Sequence, residues 1–332
     1  MLYIGQEVPG SIDEITIGYK GSYAGTLKQY NPKKPTKWGF KFFGLASSSG
    51  QVYDFLPYCG STTFLNCGLS EEELKMGVGA QSVISLCKSI KDPDNTIVFF
   101  DNWFNGLNLL AYLREKYNLL ALGTIRKDRI QKCPLTAEAA FKKLPPGSVE
   151  SHVSAQATVV VRWLDTKPVL LASSAAGVEP MSSAKGQFVK SSGCRQDIAC
   201  PRIIELYNQY IGGVDLSDQY VAENSVPTRS KRWYFPIFGY KIDLALANSY
   251  IQYVKDDELL GLVPELKTSK DFRLEVSKSL RTVESHRGRP TTAKAAKKNL
   301  IQSPSYRPSE ETRLDGLNHW PTSERTRRKK IC

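Results

Sequence analysis

The stretch TIVFFDNWFNG, residues 96–106, constrains the fold more than any other feature of this sequence. Ile97 to Phe100 form a continuous apolar run, which is typical of a strand buried on both faces. After Asp101, the segment LNLLAYLREKY carries apolar residues at helical spacing, and LLALGTIR supplies a second apolar run. This order predicts a β-α-β unit. Asp101 is typical of a helix cap at such a junction, but α/β enzymes also place catalytic groups at strand ends.

Composition narrows the class of protein. With 332 residues, 41% of them apolar, the chain can bury one large core or two modest ones. No window approaches the roughly 18 to 20 consecutive apolar residues of a membrane span, and the N-terminus lacks the pattern of a signal peptide. The seven cysteines are scattered and do not form a dense disulfide framework. We therefore expect a soluble, intracellular protein in a reducing compartment.

The rest of the chain alternates between strand and helix patterns. Residues 11–58 predict an antiparallel β-meander, and a capping box at Ser70 begins a helical stretch that runs through VISLCKSI. Residues 128–200 break into Pro, Gly and Ser clusters around short strands, and helical spacing resumes with PRIIELYNQYIGG and WYFPIFGYKIDLALANSYIQYV. Beyond about residue 290, low apolar content and basic residues predict a flexible tail.

Three further acids stand out. Asp13 lies in the first predicted strand, within SIDEITIGYKG, and Asp215 and Asp218 lie in GGVDLSDQY, where their i, i+3 spacing puts them on one helix face. Taken alone, Asp13 is equally typical of a solvated strand edge. Asp215 and Asp218 are equally typical of acids that interact with the dipole at a helix N-terminus.

Together these segments resemble the catalytic core of piggyBac-type DNA transposases. The resemblance covers about residues 10–255 and rests on the ordered segments SIDE, LKQYNPKKPTKWGFKFF, FFDNWFNGLNLLAYL, LLALGTIRKD, YNQYIGGVDLSDQY and TRSKRWYFPIF. It implies an α/β fold: an RNase H-like mixed sheet flanked by helices, with a β-rich insertion before the last catalytic helix. The expected divisions are the first part of the core at 1–127, the insertion at 128–200, the C-terminal helices of the core at 201–258, and a basic, largely flexible tail at 259–332.

The resemblance also implies the chemistry. Asp13, Asp101 and Asp215 match the family's metal-binding acids, and Asp218 matches a fourth acid near the same site. Carboxylates suit two Mg²⁺ ions, with Mn²⁺ as a substitute, because hard cations prefer oxygen ligands and a metal pair can stabilise both oxygens of a phosphoryl displacement. The family activity is hairpin-ended excision and integration at TTAA. No zinc site is expected within this chain, and we expect Trp103 and Phe104 to orient the Asp101 loop.

Basic residues indicate where DNA would bind. The net charge is +12, and most of the excess lies after residue 264. The segment 28–41 alternates cations with aromatics, which is typical of nucleic-acid contacts and equally of a solvated hairpin. HRGRP at 286–290 resembles an AT-hook core, and RTRRKK at 325–330 is typical of a nuclear import signal or a non-specific phosphate patch. The candidate DNA contacts are Lys28, Lys33, Lys34, Lys37, Lys41, Arg126, Lys127, Arg229, Lys231, Arg232, Arg287 and Arg289.

These patterns leave two functions open. We expect either a metal-dependent DNA transposase core, or a transposase-derived DNA-binding protein, retained by a host, that does not cut. The nucleus is the expected location and DNA the expected partner, a homodimer is an open alternative, and no membrane contact is expected. Family members carry a long N-terminal region and a C-terminal cysteine-rich zinc domain, whereas this sequence ends at Cys332. We therefore expect a fragment, a partial gene model or a reduced derivative.

Overall fold

The computed structural model describes residues 10–286, apart from 33, 190–193, 226–229, 231, 264 and 267. The described residues up to Ser277 form one compact unit. The elements follow one another as β1 (Gly10–Gly18), β2 (Lys28–Tyr30), β3 (Trp38–Ser47), β4 (Val52–Pro57), α1 (Glu71–Leu74), α2 (Val78–Cys87), β5 (Ile97–Phe100), α3 (Leu107–Tyr117), β6 (Leu120–Thr124), α4 (Glu138–Phe141), β7 (Val149–Val153), β8 (Val159–Leu164), β9 (Pro168–Ser173), β10 (Ser182–Val189), β11 (Cys194–Cys200), α5 (Arg202–Tyr210), α6 (Gly213–Glu223), α7 (Phe235–Leu259) and α8 (Ser269–His286).

Nine of the described strands form one mixed sheet. Its order is β2-β3-β1-β5-β6-β9-β8-β7, with β4 also paired to β3. The first four strands pair antiparallel, which confirms the predicted meander. β5 pairs parallel with both β1 and β6, which confirms the β-α-β unit. Strands β7, β8 and β9 lie in the predicted β-rich segment and extend this sheet antiparallel beyond β6, while β10 and β11 pair with each other.

Helices cover both faces of the sheet. On one face, α2 and α3 pack on side chains such as Ile12, Phe43 and Phe100. On the other face, α5, α6 and α7 pack on two further apolar clusters, to which Ile15 and Phe99 belong. Because neighbouring residues of a strand point to opposite faces, the adjacent Phe99 and Phe100 belong to different cores. Both are fully buried, as the continuous apolar run predicted.

The helical stretch predicted from Ser70 is interrupted. Ser70 caps α1 with the predicted capping box, in which its hydroxyl accepts from Glu73 N–H and Glu73 accepts from Ser70 N–H. The helix ends after one turn, and α2 begins after Gly77, whose extended backbone (φ −66°, ψ 157°) breaks the helical pattern. The periodicity therefore located the helices correctly but did not detect the break between them.

Helix α8 begins within the range predicted as a largely flexible tail. Thr268 Oγ1 accepts a hydrogen bond from Asp271 N–H at 3.1 Å and so caps the first turn. Phe272 then packs on Tyr250 and Tyr253 of α7, with ring centroids 5.7 and 5.6 Å away. The apolar contact with α7 explains why the start of this polar segment is helical. In the described part of the chain, no helix combines the length and apolarity of a membrane span.

Candidate functional site

The sheet register brings Asp13 and Asp101 side by side. β1 and β5 run parallel, and Ile12 lies opposite Phe100 as the last pair between them. Asp13 follows Ile12 and Asp101 follows Phe100, so the two acids are adjacent at the point where β5 ends. Alternation along the strands puts both acids on the face covered by α5 and α6. This is where the sequence predicted a catalytic group to lie.

The loop after Asp101 is held firmly. The Oδ1 atom of Asp101 accepts a hydrogen bond from Trp103 N–H at 2.7 Å, so this acid caps its own turn and not α3, whose N-cap residue is Gly106. Phe104 is buried, and the Trp103 ring stacks on Phe43 with centroids 5.5 Å apart. Both aromatics therefore orient the Asp101 loop, as predicted.

Arg129 also fixes this loop, although no sequence motif singled it out. Its guanidinium donates to the carbonyl oxygens of Asn102, Trp103 and Asn105 at 3.2, 2.8 and 2.8 Å. Three carbonyls of one turn that meet a single guanidinium form a clamp on the turn. The contact joins residues more than twenty positions apart, so no local spacing rule could have detected it.

Helix α6 carries the other two acids over the sheet. A Cβ atom on Gly213 would lie 2.1 Å from the Ser47 carbonyl oxygen and 2.6 Å from Ser11 Oγ. Glycine is therefore required for the first turn of α6 to lie directly on β1 and β3. Asp215 lies in that first turn and is exposed, and Asp218 follows one turn later and is half-buried. Gly213 thus serves close packing of α6 on the sheet, whereas a Cβ atom on Gly212 would have no heavy atom within 4 Å.

The four acids share one electrostatic neighbourhood. Burial, together with the charges of Asp101 and Asp215, raises the pKa of Asp13 to about 6, and the hydrogen bond from Glu14 N–H opposes this shift. Burial and, to a smaller extent, the Asp215 charge likewise raise the pKa of Asp218 to about 6. The raised pKa values indicate that like charges lie around a partly desolvated pocket, which is typical of functional sites.

Two neighbours oppose this repulsion. Tyr240 of α7 donates a hydrogen bond from its hydroxyl to Asp218 Oδ1 at 3.1 Å. Lys34, in the loop between β2 and β3, lowers the pKa of both Asp13 and Asp218, and its Nζ donates to the Glu14 carbonyl oxygen at 3.2 Å. Lys34, Asp218 and Tyr240 line a cavity of about 720 Å³. Sequence reasoning predicted Lys34 as a DNA contact, which stays a prediction, and missed Tyr240.

The donor set suits a divalent cation chemically. Carboxylate oxygens are hard donors, and a cation would relieve the repulsion that raises the pKa of Asp13. Among the described residues, however, no group of three or more His, Cys, Asp or Glu lies close enough together to hold a metal ion. The acids are thus neighbours without forming a closed ligand cluster.

The predicted DNA contacts have varied surroundings. Lys41 pairs with Glu14 at 2.6 Å and lies 4.4 Å from the Trp103 ring centroid, so its charge is already engaged. Arg126 donates to Asn102 Oδ1 at 3.2 Å, beside the Asp101 turn. The side chains of Lys37, Lys127 and Arg232 are exposed. Lys33, Arg229, Lys231, Arg287 and Arg289 lie outside the described residues. DNA contact by these residues stays a prediction.

Comparisons with known proteins identify the family of the chain. A protein-family model described as Transposase IS4 matches residues 6–250. The human PiggyBac transposable element-derived protein 3 is 31% identical over 262 residues, which cover 78% of this chain and 42% of that protein. The human PiggyBac transposable element-derived protein 2 is 29% identical over 238 residues, 70% of this chain and 38% of that protein. The chain thus spans less than half the length of these curated relatives.

A solved structure supports the fold. The cryo-EM structure of a piggyBac transposase synaptic complex with hairpin DNA matches 92% of this chain and 60% of its own, with a TM-score of 0.66 and 23% sequence identity. At this identity the similarity concerns the fold. It confirms the expected RNase H-like mixed sheet flanked by helices.

Proposed function

This chain belongs to the piggyBac-type transposase family, and from that premise we propose that it is the catalytic core of a metal-dependent enzyme that cleaves and transfers DNA strands. The observation that carries the proposal is the parallel register of β1 and β5, which sets Asp13 beside Asp101 under the acids of α6. Acids from three separate elements are thus neighbours, although local patterns in the sequence explained each of them without a catalytic role.

The residues have distinct tasks in this proposal. Asp13, Asp101 and Asp215 would hold Mg²⁺, or Mn²⁺ as a substitute, with Asp218 in support. The metal would supply Lewis acidity toward the attacking and leaving oxygens of a phosphodiester. Asp218 is kept in place by the Tyr240 hydroxyl, and Arg129 holds the Asp101 turn. Lys34 would meet a phosphate beside the acids, which its position in the cavity wall supports.

Partners and location follow the family. We propose DNA as the substrate, with cleavage at transposon ends and integration at TTAA, and the nucleus as the location. The net charge of +12 supports a polyanionic partner, and the structural neighbour is a complex with hairpin DNA. A homodimer is proposed on the same family grounds. Because the chain spans part of its relatives, these properties belong to the proposal for the whole protein.

A second function has one specific observation in its favour. A transposable element-derived DNA-binding protein that does not cut would keep the acids as scaffold without a working metal site. Among the described residues, no three metal-ligating side chains lie close enough together to hold an ion. This alternative predicts DNA binding that does not depend on a divalent metal.

The deciding experiment compares two matched substitutions. Titration calorimetry of Mn²⁺, with a short DNA end present, is followed by a nicking assay on the same DNA. Asp101→Asn retains the Oδ1 acceptor for Trp103 N–H, so the loop should persist while metal binding and nicking disappear. The control is Asp54→Asn in β4, where Oδ1 accepts from Phe55 N–H at 2.8 Å and no other predicted site acid is involved.

The outcomes separate the two functions. Mn²⁺ binding and nicking that Asp101→Asn removes and Asp54→Asn retains would establish the enzyme. DNA binding by the wild-type chain without any Mn²⁺ heat or nicking would establish the second function and refute the first.

A further inference from the structure

The β2–β3 hairpin carries two exposed aromatic rings that the core does not need. Tyr30 and Trp38 lie directly opposite each other in the register, and Lys28 lies opposite Phe40. Lys28, Tyr30, Trp38 and Phe40 therefore project from the same face of the sheet. Phe40 is buried, whereas 52% of Tyr30 and 44% of Trp38 remain exposed.

The exposed rings are preorganised. The Tyr30 and Trp38 centroids are 4.6 Å apart with a 44° interplanar angle. Lys28 Nζ lies 4.5 Å from the Trp38 ring centroid and is anchored by donating to the Gly21 carbonyl oxygen at 2.8 Å. The cluster of Lys28, Tyr30 and Trp38, called the aromatic platform below, is thus a fixed aromatic surface with a cation attached. Such a surface loses little conformational entropy when a flat ligand stacks on it.

The positive charge of the segment around the aromatic platform indicates the class of ligand. The segment 28–41 contains five lysines and no Asp or Glu. Aromatic faces among cations fit a ligand that has flat apolar rings and a negative backbone, and unpaired nucleotides have both features. In a duplex the base faces are stacked on one another and are not available to an aromatic side chain. Charge complementarity therefore favours single-stranded DNA over an apolar peptide.

The aromatic platform and the acids are on the same face of the sheet. Phe40 belongs to the apolar cluster of Ile15 and Val214, which lies under α6. Gly18, which pairs with Gly39 next to Trp38, lies five residue steps along β1 from Asp13. At about 3.3 Å per residue this is roughly 17 Å. A strand leaving the acids would cover that distance in about five steps at the 3.4 Å spacing of stacked DNA.

We infer that Tyr30 and Trp38 stack on unpaired nucleotides of DNA, on the strand that leaves the carboxylate site. The location of this contact relative to a cleavage point rests on the proposed function. The binding itself needs neither metal nor cleavage, so the two proposals can fail separately.

The test measures binding of a fluorescent 12-nucleotide single strand by anisotropy, in EDTA, to the wild-type chain and to Trp38→Ala. Loss of stacking should weaken binding by about 5- to 100-fold. Trp38→Phe should recover most of the affinity because it keeps an aromatic face. Tyr23→Ala is the matched control, since Tyr23 is 80% exposed and lies outside the aromatic platform. It should bind as the wild type does.

Two further measurements define the mode of binding. The dependence of affinity on salt should be the same for Trp38→Ala and the wild type, because stacking neutralises no phosphate. A blunt duplex should bind both proteins equally. Equal affinities of Trp38→Ala and wild type for the single strand would overturn the inference, as would equal losses in Trp38→Ala and Tyr23→Ala. All of these measurements are made in EDTA, where no metal-dependent cleavage occurs, so a failed cleavage proposal would leave this result intact.

Discussion

Two carboxylates in this molecule have opposite surroundings. Glu73 is 3% exposed, and its oxygens accept hydrogen bonds from the Tyr112 and Tyr117 hydroxyls, from Ser70 N–H and from Lys88 Nζ. Burial opposes its ionisation, but these donors outweigh burial and lower its pKa to about 2. At Asp13 burial dominates, two neighbouring acids add to it, and the pKa rises to about 6.

The difference separates a structural acid, Glu73, from Asp13, which we propose to be functional. Glu73 ties α1 to α2 and α3, and the folded chain supplies enough donors to satisfy its charge. Asp13 is held among like charges, so the folded chain carries a repulsion that a bound cation would relieve. Substitution of Glu73 should therefore affect stability, and substitution of Asp13 should affect activity.

The largest expected effect is on cleavage by Asp13→Asn. Loss of one carboxylate from the proposed metal site should reduce strand cleavage about 1000-fold or more, equivalent to about 4 kcal/mol. In EDTA at pH 7.5 the same change should raise the free energy of unfolding by roughly 1 to 3 kcal/mol, because it removes a disfavoured buried charge. Cleavage gels and urea unfolding measure the two quantities. Full cleavage by Asp13→Asn would contradict the functional assignment.

Asp13 and Asp218 should both contribute to the dependence of stability on pH. In EDTA, the folded state binds more protons than the unfolded state between about pH 3.8 and 6, because the pKa values of Asp13 and Asp218 are raised. The free energy of unfolding should therefore fall as pH rises through this window, by up to about 3 kcal/mol for each group. Urea unfolding at pH 3 to 8 measures this fall.

At lower pH, Glu73 should make the free energy of unfolding rise as pH rises. Its pKa is lowered from 4.5 to about 2, so its contribution is complete above pH 4.5 and is lost as pH falls toward 2. Asp13→Asn should reduce the change in the free energy of unfolding only between about pH 3.8 and 6. Glu73→Gln should reduce it only between about pH 2 and 4.5. A single titration that both variants alter equally would show that the two acids are not independent.

Glu73→Gln should have a smaller effect, on stability alone. Each Glu73 oxygen faces hydrogen-bond donors, so the amide NH₂ must replace one acceptor and oppose a donor. We expect a loss of roughly 2 kcal/mol in the free energy of unfolding. Cleavage per folded molecule should not change. Glu72→Gln is the control, because Glu72 is exposed in the same helix and should stay within about 0.5 kcal/mol of the wild type.

Local patterns in the sequence predicted most of the fold. The apolar run before Asp101 and the amphipathic run after it were sufficient to predict β5, α3 and β6, because strand and helix periods differ. The capping box at Ser70 located α1 for the same reason: its signal lies within four residues. These patterns did not predict the break at Gly77. They also did not predict the helical start of α8, which depends on Phe272 packing against α7.

The site was less accessible to sequence reasoning. Each acid had an adequate local explanation, and only the resemblance to a family joined them. The partners that complete the site come from distant parts of the chain: Arg129 lies 26 residues from Trp103 and Tyr240 lies 22 residues from Asp218. Lys41 was predicted to contact DNA, but its ammonium group already contacts Glu14 and the Trp103 ring. Three-dimensional neighbours decide which polar residues remain available.

The smallest effect is expected from Tyr240→Phe, and it tests whether donors at the site act as they do at Glu73. The Tyr240 hydroxyl stabilises ionised Asp218 and so opposes the burial that raises the pKa of Asp218 to about 6. Without it that pKa should rise further, which leaves less carboxylate ionised near neutral pH. Cleavage should fall roughly 3- to 10-fold at pH 6.5 and less than about 2-fold at pH 8.5. Tyr253→Phe is the control, because the Tyr253 hydroxyl accepts from Glu265 N–H and does not contact a site acid. An equal loss at both pH values would mean that Tyr240 positions Asp218 without stabilising its charge, and the analogy with Glu73 would then fail at this residue.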